Sequence, residues 1–249
     1  MRVASGLKNS IAFLTILPVG MDRDGFSMAA AYMPIFPAIG AAIGFLVGLL
    51  VWALEFFFPR LIAGMIGLAC LLLINGVQHL DGLLDFGDGV MFHGTRAGKL
   101  RVMRDPTTGA GGVALGLVIL SLTAFSIATL PVPVVVVGVV AAVTAANFSM
   151  VFVTGIGRSA RRGMGAIFVE AMRNRRALRL SISFLIMLVI CLLALKTVGV
   201  VVAVVAPITA WVMASVASRH FGGITGDVMG ATNIISLAIS LLLMVVFLK

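Results

Sequence analysis

Residues 78–88 read Gln-His-Leu-Asp-Gly-Leu-Leu-Asp-Phe-Gly-Asp, so Asp81, Asp85 and Asp88 stand at i, i+4 and i+7 directly after an apolar run. The chain has only nine acidic residues, and Asp105 follows soon after, a concentration that apolar burial does not explain. With the segment continuing the apolar span before it as a helix, turning about 100° per residue, the three carboxylates share roughly 60° of arc, with Gln78 at its edge. Like charges at these spacings repel. A divalent cation among them removes the repulsion, and oxygen-only ligands favour Mg²⁺, or Mn²⁺, over Zn²⁺. Because Mg²⁺ keeps waters and substrate phosphates in its shell, the chemistry indicated is phosphoryl or pyrophosphate transfer. Gly82, Gly87 and Gly89 leave room for a bulky substrate to approach the backbone. A solvated acidic helix end is the competing reading. His79 points away from the stripe on an ideal helix, which suits a helix-end hydrogen bond better than a general base.

Arg96, Lys99, Arg101 and Arg104 lead into Asp105-Pro-Thr-Thr-Gly-Ala-Gly-Gly, a loop by its Pro and Gly content. Its cations suit phosphate oxygens, and the amides of Gly109 to Gly112 suit an anion where the next helix begins. Anchoring at the membrane face is the alternative for each cation. Asp105 reads either as a further metal ligand or as the ion-pair partner of Arg104. A third polar segment, Gly222-Gly-Ile-Thr-Gly-Asp-Val-Met-Gly-Ala, carries Asp227, which either completes the metal site from a distant point or sits in a tight surface turn. It lacks the Gly-x-Gly-x-x-Gly spacing of a dinucleotide site. The basic stretch 158–179 suits anionic lipid headgroups or the phosphates and carboxylates of a substrate.

The elements that must hold these residues are membrane helices. The chain of 249 residues is 61% hydrophobic and 11% charged, which excludes an ordinary soluble domain. Apolar runs at 32–58, 61–77, 110–130, 132–156, 178–195, 198–217 and 232–248 approach the ~20 residues a bilayer core requires. The expectation is an all-α, polytopic integral membrane bundle of about seven transmembrane helices, or six if 178–217 is a single one, with cytoplasmic polar loops. Gly40, Gly44 and Gly48 recur every four residues and form a ridge for close helix packing. With seven spans, fifteen Lys and Arg fall on the side holding 1–31, 78–109, 157–177 and 218–231, against Arg60, Lys196 and Lys249 on the other. The positive-inside rule then puts the polar segments in the cytoplasm, with the N-terminus inside and the chain in the cell membrane. The net charge of +9 is absorbed by this topology, so no nucleic acid is expected. Cys70 and Cys191 lack metal-ligand spacing and read as buried free thiols. The stretch 1–31 reads as a retained interfacial or re-entrant segment, and 1–249 as one membrane-embedded domain, with 78–109 and 218–231 as its cytoplasmic active-site segments.

With these segments in view, the sequence resembles the cobalamin synthase family, the adenosylcobinamide-GDP ribazoletransferases. The resemblance rests on His79-Leu-Asp-Gly-Leu-Leu-Asp-Phe-Gly-Asp-Gly, on Met103-Arg-Asp-Pro-Thr-Thr-Gly-Ala-Gly-Gly and on Gly223-Ile-Thr-Gly-Asp-Val-Met-Gly-Ala. Ala12-Phe-Leu-Thr-Ile-Leu-Pro-Val and Pro34-Ile-Phe-Pro-Ala-Ile-Gly extend it over nearly the whole chain. Arg161-Arg-Gly-Met-Gly departs from it, with basic residues where acidic ones are expected before Gly-x-Gly.

The resemblance implies a membrane-embedded, Mg²⁺-dependent transfer. A ribose hydroxyl of α-ribazole, or of its 5′-phosphate, attacks the phosphate attached to cobinamide in adenosylcobinamide-GDP and expels GMP. Asp81, Asp85, Asp88 and Asp227 are then assigned to the metal, and Lys99, Arg101 and Arg104 to phosphate. Gln78, Asp105, Gly109, Thr225 and Gly226 join them as substrate-binding candidates. Asp81 and Asp85, with His79 outside them, are the candidates for moving a proton. Membrane lipids and other corrinoid-pathway enzymes are the remaining expected partners, and self-association is compatible with the chain. A CDP-alcohol-type phosphotransferase is the first competitor, but its Ala-Arg after the first Asp-Gly and its fourth acid are missing. A cation- or proton-coupled transporter is the second, disfavoured by acids gathered at a span end rather than mid-span.

Overall fold

Apolar runs with no water to satisfy their backbone must close their hydrogen bonds within each segment, and they do so as helices. The computed structural model describes residues 2–248; Met1 and Lys249, the latter counted on the far side by its charge, lie outside the described residues. Among the described residues there are eleven α-helices: α1 (Arg2–Leu14), α2 (Gly25–Ala31), α3 (Phe36–Leu54), α4 (Arg60–Ile74), α5 (Gln78–Met91), α6 (Arg96–Val102), α7 (Ala110–Thr129), α8 (Val135–Ile156), α9 (Met164–Arg173), α10 (Arg176–Phe221) and α11 (Gly226–Phe247). Among the described residues there is no β-strand, only an isolated parallel bridge between Ser159 and Ile224. The expected all-helical, membrane-type class holds. Five helices, α3, α7, α8, α10 and α11, are long and apolar enough to cross a membrane, or six crossings if the bent pair α4 and α5 is counted as one.

At the centre stands α8, packed by α3, α10 and α11. The glycine ridge of α3 does what its spacing predicts. A Cβ on Gly44 would lie 2.8 Å from the Val140 Cα, and one on Gly48 would lie 2.9 Å from the Val136 Cα, so the two backbones touch where a side chain has no space. Polar contacts add to the packing: the Ser149 and Ser236 hydroxyls lie 2.7 Å apart between α8 and α11. The 46-residue α10 is not one rod, because Lys196 has φ 51° and ψ −123° inside it. A Cβ on Gly199 would sit against the carbonyl of Cys191, residues that a straight helix separates by about 12 Å. The chain therefore doubles back at Lys196.

One expectation is corrected here. The acidic segment does not prolong the helix before it: α4 and α5 meet at 94°. Gly76 and Val77 both have φ 63°, which ends α4 and turns the chain. Residues 78–91 are a helix in their own right, wedged between α7 and α11, rather than a loop. A second correction concerns the glycines of this helix. They do not hold space for substrate; neighbouring elements occupy it. A Cβ on Gly82 would lie 2.8 Å from the Asp227 carbonyl, one on Gly87 would lie 2.9 Å from the Gly111 carbonyl, and one on Gly89 would meet Met103.

The N-terminal segment folds as a helical pair, α1 against α2. Asp22 ties it: its carboxylate accepts from Ser5 Oγ, Lys8 Nζ and Asn9 Nδ2, each at 2.7 Å. Those donors hold the Asp22 carboxyl well below the usual carboxylate range, the Lys8 contribution being largest. Phe13 then packs on Phe36 and Phe168, while Ile16 N–H donates to the Ile74 carbonyl, fixing this pair to the end of α4.

Candidate active site

The starts of α7 and α11 meet α5 on its two sides, and this junction collects most of the acidic residues singled out above. Beside it lies a cavity of about 360 Å³ lined by Gln78, His79, Asp81, Arg104, Arg161, Arg162, Thr225, Gly226 and Asp227. Two carboxylates, from α5 and from the first turn of α11, therefore face three guanidinium-bearing residues from two loops.

Asp227 is held from several sides. Its Oδ2 accepts from Thr225 Oγ1 at 3.0 Å and from Arg161 Nη2 at 3.3 Å. Thr225 also caps α11, since its Oγ1 accepts from Val228 N–H, so one hydroxyl both starts the helix and orients the acid. The carboxylate sits in the first turn, where the helix dipole favours negative charge. Asp81 is an exposed charged neighbour of Asp227 on the same cavity. Asp85 is half-buried behind them, with Asp227, Asp81 and Asp88 as its like-charged neighbours. The stripe predicted from spacing is real, and Asp227 joins it.

Asp88 has a different surrounding. Its Oδ2 accepts from Gly109 N–H and its Oδ1 from Gly112 N–H, both at 2.7 Å. The anion at the start of α7 is thus a side chain of the protein itself, buried with only 9% exposure. Each oxygen accepts one amide here and keeps further acceptor capacity. Lys99 likewise serves the backbone: its Nζ donates to the carbonyls of Gly89, Val90 and Phe92 at 3.2, 2.9 and 2.6 Å, closing the C-terminal end of α5. A helix end leaves carbonyls without partners, and all three ammonium donors are spent on them. Asp105 accepts from Thr107 N–H and Thr107 Oγ1 in an exposed turn, bonds that lower its pKa, and it makes no ion pair with Arg104. Arg101 is exposed outside the cavity lining.

Gln78 and His79 face the cavity, and Gln78 is committed on its other side. Gln78 Nε2 donates to the Phe13 carbonyl at 2.6 Å, joining α5 to α1. His79 is buried beneath Gly230, whose absent side chain admits its backbone, and its Nε2 has no partner. Sequence reasoning left Arg161 and Arg162 without individual roles. The signal was the departure already noted, paired arginines before Gly-x-Gly, and the geometry explains the glycines: Gly163 has φ 147°, and a Cβ on Gly165 would lie 2.7 Å from the Thr225 backbone. This loop reaches the α11 start only because those side chains are missing.

For a metal, the donor set is carboxylate oxygen, which selects a hard cation. Among the described residues no three carboxylate, imidazole or thiolate groups converge into a complete cage. Mg²⁺ does not need one, since it is commonly held by one or two carboxylates and completes its shell with water and phosphate. Asp81 and Asp227, open to the cavity, fit that requirement.

Comparison with known proteins agrees with the whole-chain extent of the sequence motifs. The family model described as cobalamin-5-phosphate synthase matches residues 6–245. An adenosylcobinamide-GDP ribazoletransferase of Methanococcoides burtonii is 30% identical, covering 96% of this chain and 91% of the relative. Proteins of the same name from Halorubrum lacusprofundi and Pyrococcus abyssi are 32% and 29% identical, each covering at least 90% of both chains. No solved structure matches. A match running from the sixth residue almost to the end takes in α5, the loop before α7 and the start of α11 together, and the chain belongs to the cobalamin-5-phosphate synthase family.

Proposed function

We propose that this chain is a Mg²⁺-dependent transferase that joins adenosylcobinamide-GDP to α-ribazole or α-ribazole 5′-phosphate, releasing GMP and the completed cobamide. The observation that carries the reading is the cavity in which Asp81 and Asp227 oppose Arg104, Arg161 and Arg162, in a chain that matches relatives bearing this enzyme's name over about nine-tenths of their length. Carboxylates facing guanidinium groups are what a pyrophosphate with its counter-cation requires.

The bond formed is between a ribose hydroxyl oxygen and the phosphorus attached to cobinamide, and the bond broken is that phosphorus to the oxygen retained by GMP. Mg²⁺, when bound at Asp81 and Asp227 with Asp85 behind them, supplies neutralisation of phosphate charge. Arg104 and Arg162 bind phosphate oxygens, and Arg161 holds Asp227 in orientation while its free donors reach the same oxygens. Asp81 or Asp85 takes the hydroxyl proton; His79, buried at the cavity floor, is the third candidate. Asp88 contributes by fixing the start of α7, and its metal role is confined to the acceptor capacity left by its two amide bonds. Catalysis rests on positioning and charge compensation.

We further assign seven membrane spans, counting α10 as two helices either side of Lys196 and α4 as a short one, with the α5 junction on the cytoplasmic side as the Lys and Arg distribution requires. The test is to supply purified membranes with adenosylcobinamide-GDP, α-ribazole phosphate and Mg²⁺, and to detect GMP and a complete cobamide by mass spectrometry. Absence of both products from a folded protein rejects the assignment.

A further inference from the structure

A second and larger cavity, about 1120 Å³, lies beside the first and takes no part in the proposed transfer. Five arginines line it, Arg96, Arg219 and, from the basic stretch 158–179, Arg158, Arg173 and Arg176, against a single acid, Glu170. Among the described residues only Arg173 of these five has a carboxylate partner, Glu170 at 3.0 Å. Arg96 Nε donates to the Arg219 carbonyl at 3.2 Å, which brings α6 to the end of α10 and draws two cations together rather than apart. Arginines serving only as topological anchors have no reason to converge on one concave wall, where their charges repel.

The opposite end of the cavity is apolar. Trp211, Ser215, Ser218 and Arg219 stand at i, i+4, i+7 and i+8 on one face of α10, so the wall rises about 12 Å along the helix axis between the Trp211 and Arg219 positions. A thin partition separates this space from the carboxylate cavity: Ile224 N–H donates to the Arg158 carbonyl at 2.7 Å and Ala160 N–H to the Ile224 carbonyl at 3.0 Å. Arg158 and Ile224 face the large cavity, while Arg161 and Thr225 face the small one.

We propose that the large cavity is a phosphate-ester site, in which Arg158, Arg176 and Arg219 hold the phosphate and the Trp211 end accepts the apolar part of the ligand. The phosphate belongs either to a membrane phospholipid of net negative charge, which zwitterionic phosphatidylcholine is not, or to a soluble phosphate compound, and the experiment separates the two. The full chain is placed in nanodiscs without Mg²⁺, treated with phenylglyoxal, and its modified arginines are quantified by mass spectrometry. Three conditions are compared: phosphatidylcholine discs, the same discs with added pyrophosphate, and discs containing phosphatidylglycerol. Expected is at least about three-fold protection of Arg158, Arg176 and Arg219 in one of the last two, with Arg23 and Arg101, exposed elsewhere, protected far less. Protection by pyrophosphate identifies a soluble ligand, and protection by phosphatidylglycerol a lipid. No protection in either condition, or equal protection at Arg23 and Arg101, overturns the site. Turnover measured on a portion of the same discs left unmodified and supplied with Mg²⁺ reads the smaller cavity separately.

Discussion

Arg161 and Asp227, 66 positions apart, form an ion pair at 3.3 Å between the loop after α8 and the first turn of α11. The pair spans the wall of the smaller cavity, and it brings a guanidinium to the acid that a metal-phosphate site would use. It is partly exposed, at 21% and 23% of the two side chains, so solvent screens it. Its value is therefore in orientation rather than stability.

Replacing Arg161 with Ala is expected to change the folded state little, by about 1 kcal/mol or less for a solvent-screened pair. Turnover should fall by at least about ten-fold, because Asp227 loses its orienting donor and the phosphate loses a cation. Thermal unfolding in detergent and GMP release measured together check this. A large loss of stability with turnover per folded molecule unchanged contradicts the orienting role.

Asp88 should behave in the opposite way. Its two oxygens take the part-buried Gly109 amide and the buried Gly112 amide of the α7 start, so Asp88→Ala leaves one buried donor unsatisfied and hands the other to water, and is expected to destabilise the protein by about 1–3 kcal/mol. Asp88→Asn keeps one good acceptor and should recover part of the loss. Denaturant or thermal titration of both variants distinguishes this anchoring role, since a residue acting only on metal would give two stable, inactive proteins.

The glycines of α5 and α7 carry a packing prediction. A Cβ at Gly82 would lie 2.8 Å from the Asp227 carbonyl, and one at Gly112 would lie 2.6 Å from the Leu84 carbonyl. Both contacts are with backbone, which cannot rotate aside. Gly82→Ala and Gly112→Ala should each cost about 1–3 kcal/mol, as overpacking does. Gly163→Ala meets no neighbour within 4 Å, but its φ of 147° strains any other residue, so its effect should appear in the loop holding Arg161. Limited proteolysis across 157–165 and thermal melts of all three check the difference.

Much of this was legible before any coordinates. The acidic stripe is a periodicity, and helical geometry alone put Asp81, Asp85 and Asp88 on one arc; the Gly40, Gly44 and Gly48 ridge likewise followed from spacing. The bend before Gln78 was not, because Gly76 is an ordinary helix-ending signal but Val77 at positive φ contradicts its own β-branched preference. The fates of Lys99 and Asp88 were hidden for a related reason. Residue type identifies a cation or an anion, whereas its partner is decided by which helix end tertiary packing brings within reach. The Gly109–Gly112 stretch suited an anion by its type, and in the structure the Gly109 and Gly112 amides meet a carboxylate of the chain itself, Asp88. Arg161 needed long-range contact information that no local pattern holds.

The N-terminal helical pair should respond to acid in a defined direction. Asp22 has its carboxyl lowered from the ordinary 3.8 by Lys8, Asn9 and Ser5, so the folded form binds its proton less readily than the unfolded form. Its contribution is therefore complete above the unfolded value and is lost as pH falls through the lower folded one. Hydrogen exchange in α1 and α2 should be flat between about pH 5 and pH 8, once corrected for intrinsic rates, and should rise only below the ordinary carboxylate range. In Lys8→Ala the rise should begin at higher pH. A change centred near neutrality would exclude Asp22 as the controlling group.

The metal reading yields the sharpest separation among the carboxylates. Asp81→Asn removes a charge at the open cavity without breaking a hydrogen bond on which the fold depends, so stability should hold while turnover falls by about two orders of magnitude or more. Partial recovery at raised Mg²⁺ is expected if Asp81 helps hold the cation, because occupancy then follows mass action. Asp85→Asn relieves repulsion among four neighbouring acids and should leave the protein as stable as before, or more so. Removing Mg²⁺ with chelator should abolish turnover in the unsubstituted protein and leave its helical signal unchanged, since no helix is built around the ion. Near-normal turnover in Asp81→Asn, Asp85→Asn and Asp227→Asn alike, across graded Mg²⁺, would refute the carboxylate site and return the α5 junction to a purely structural role.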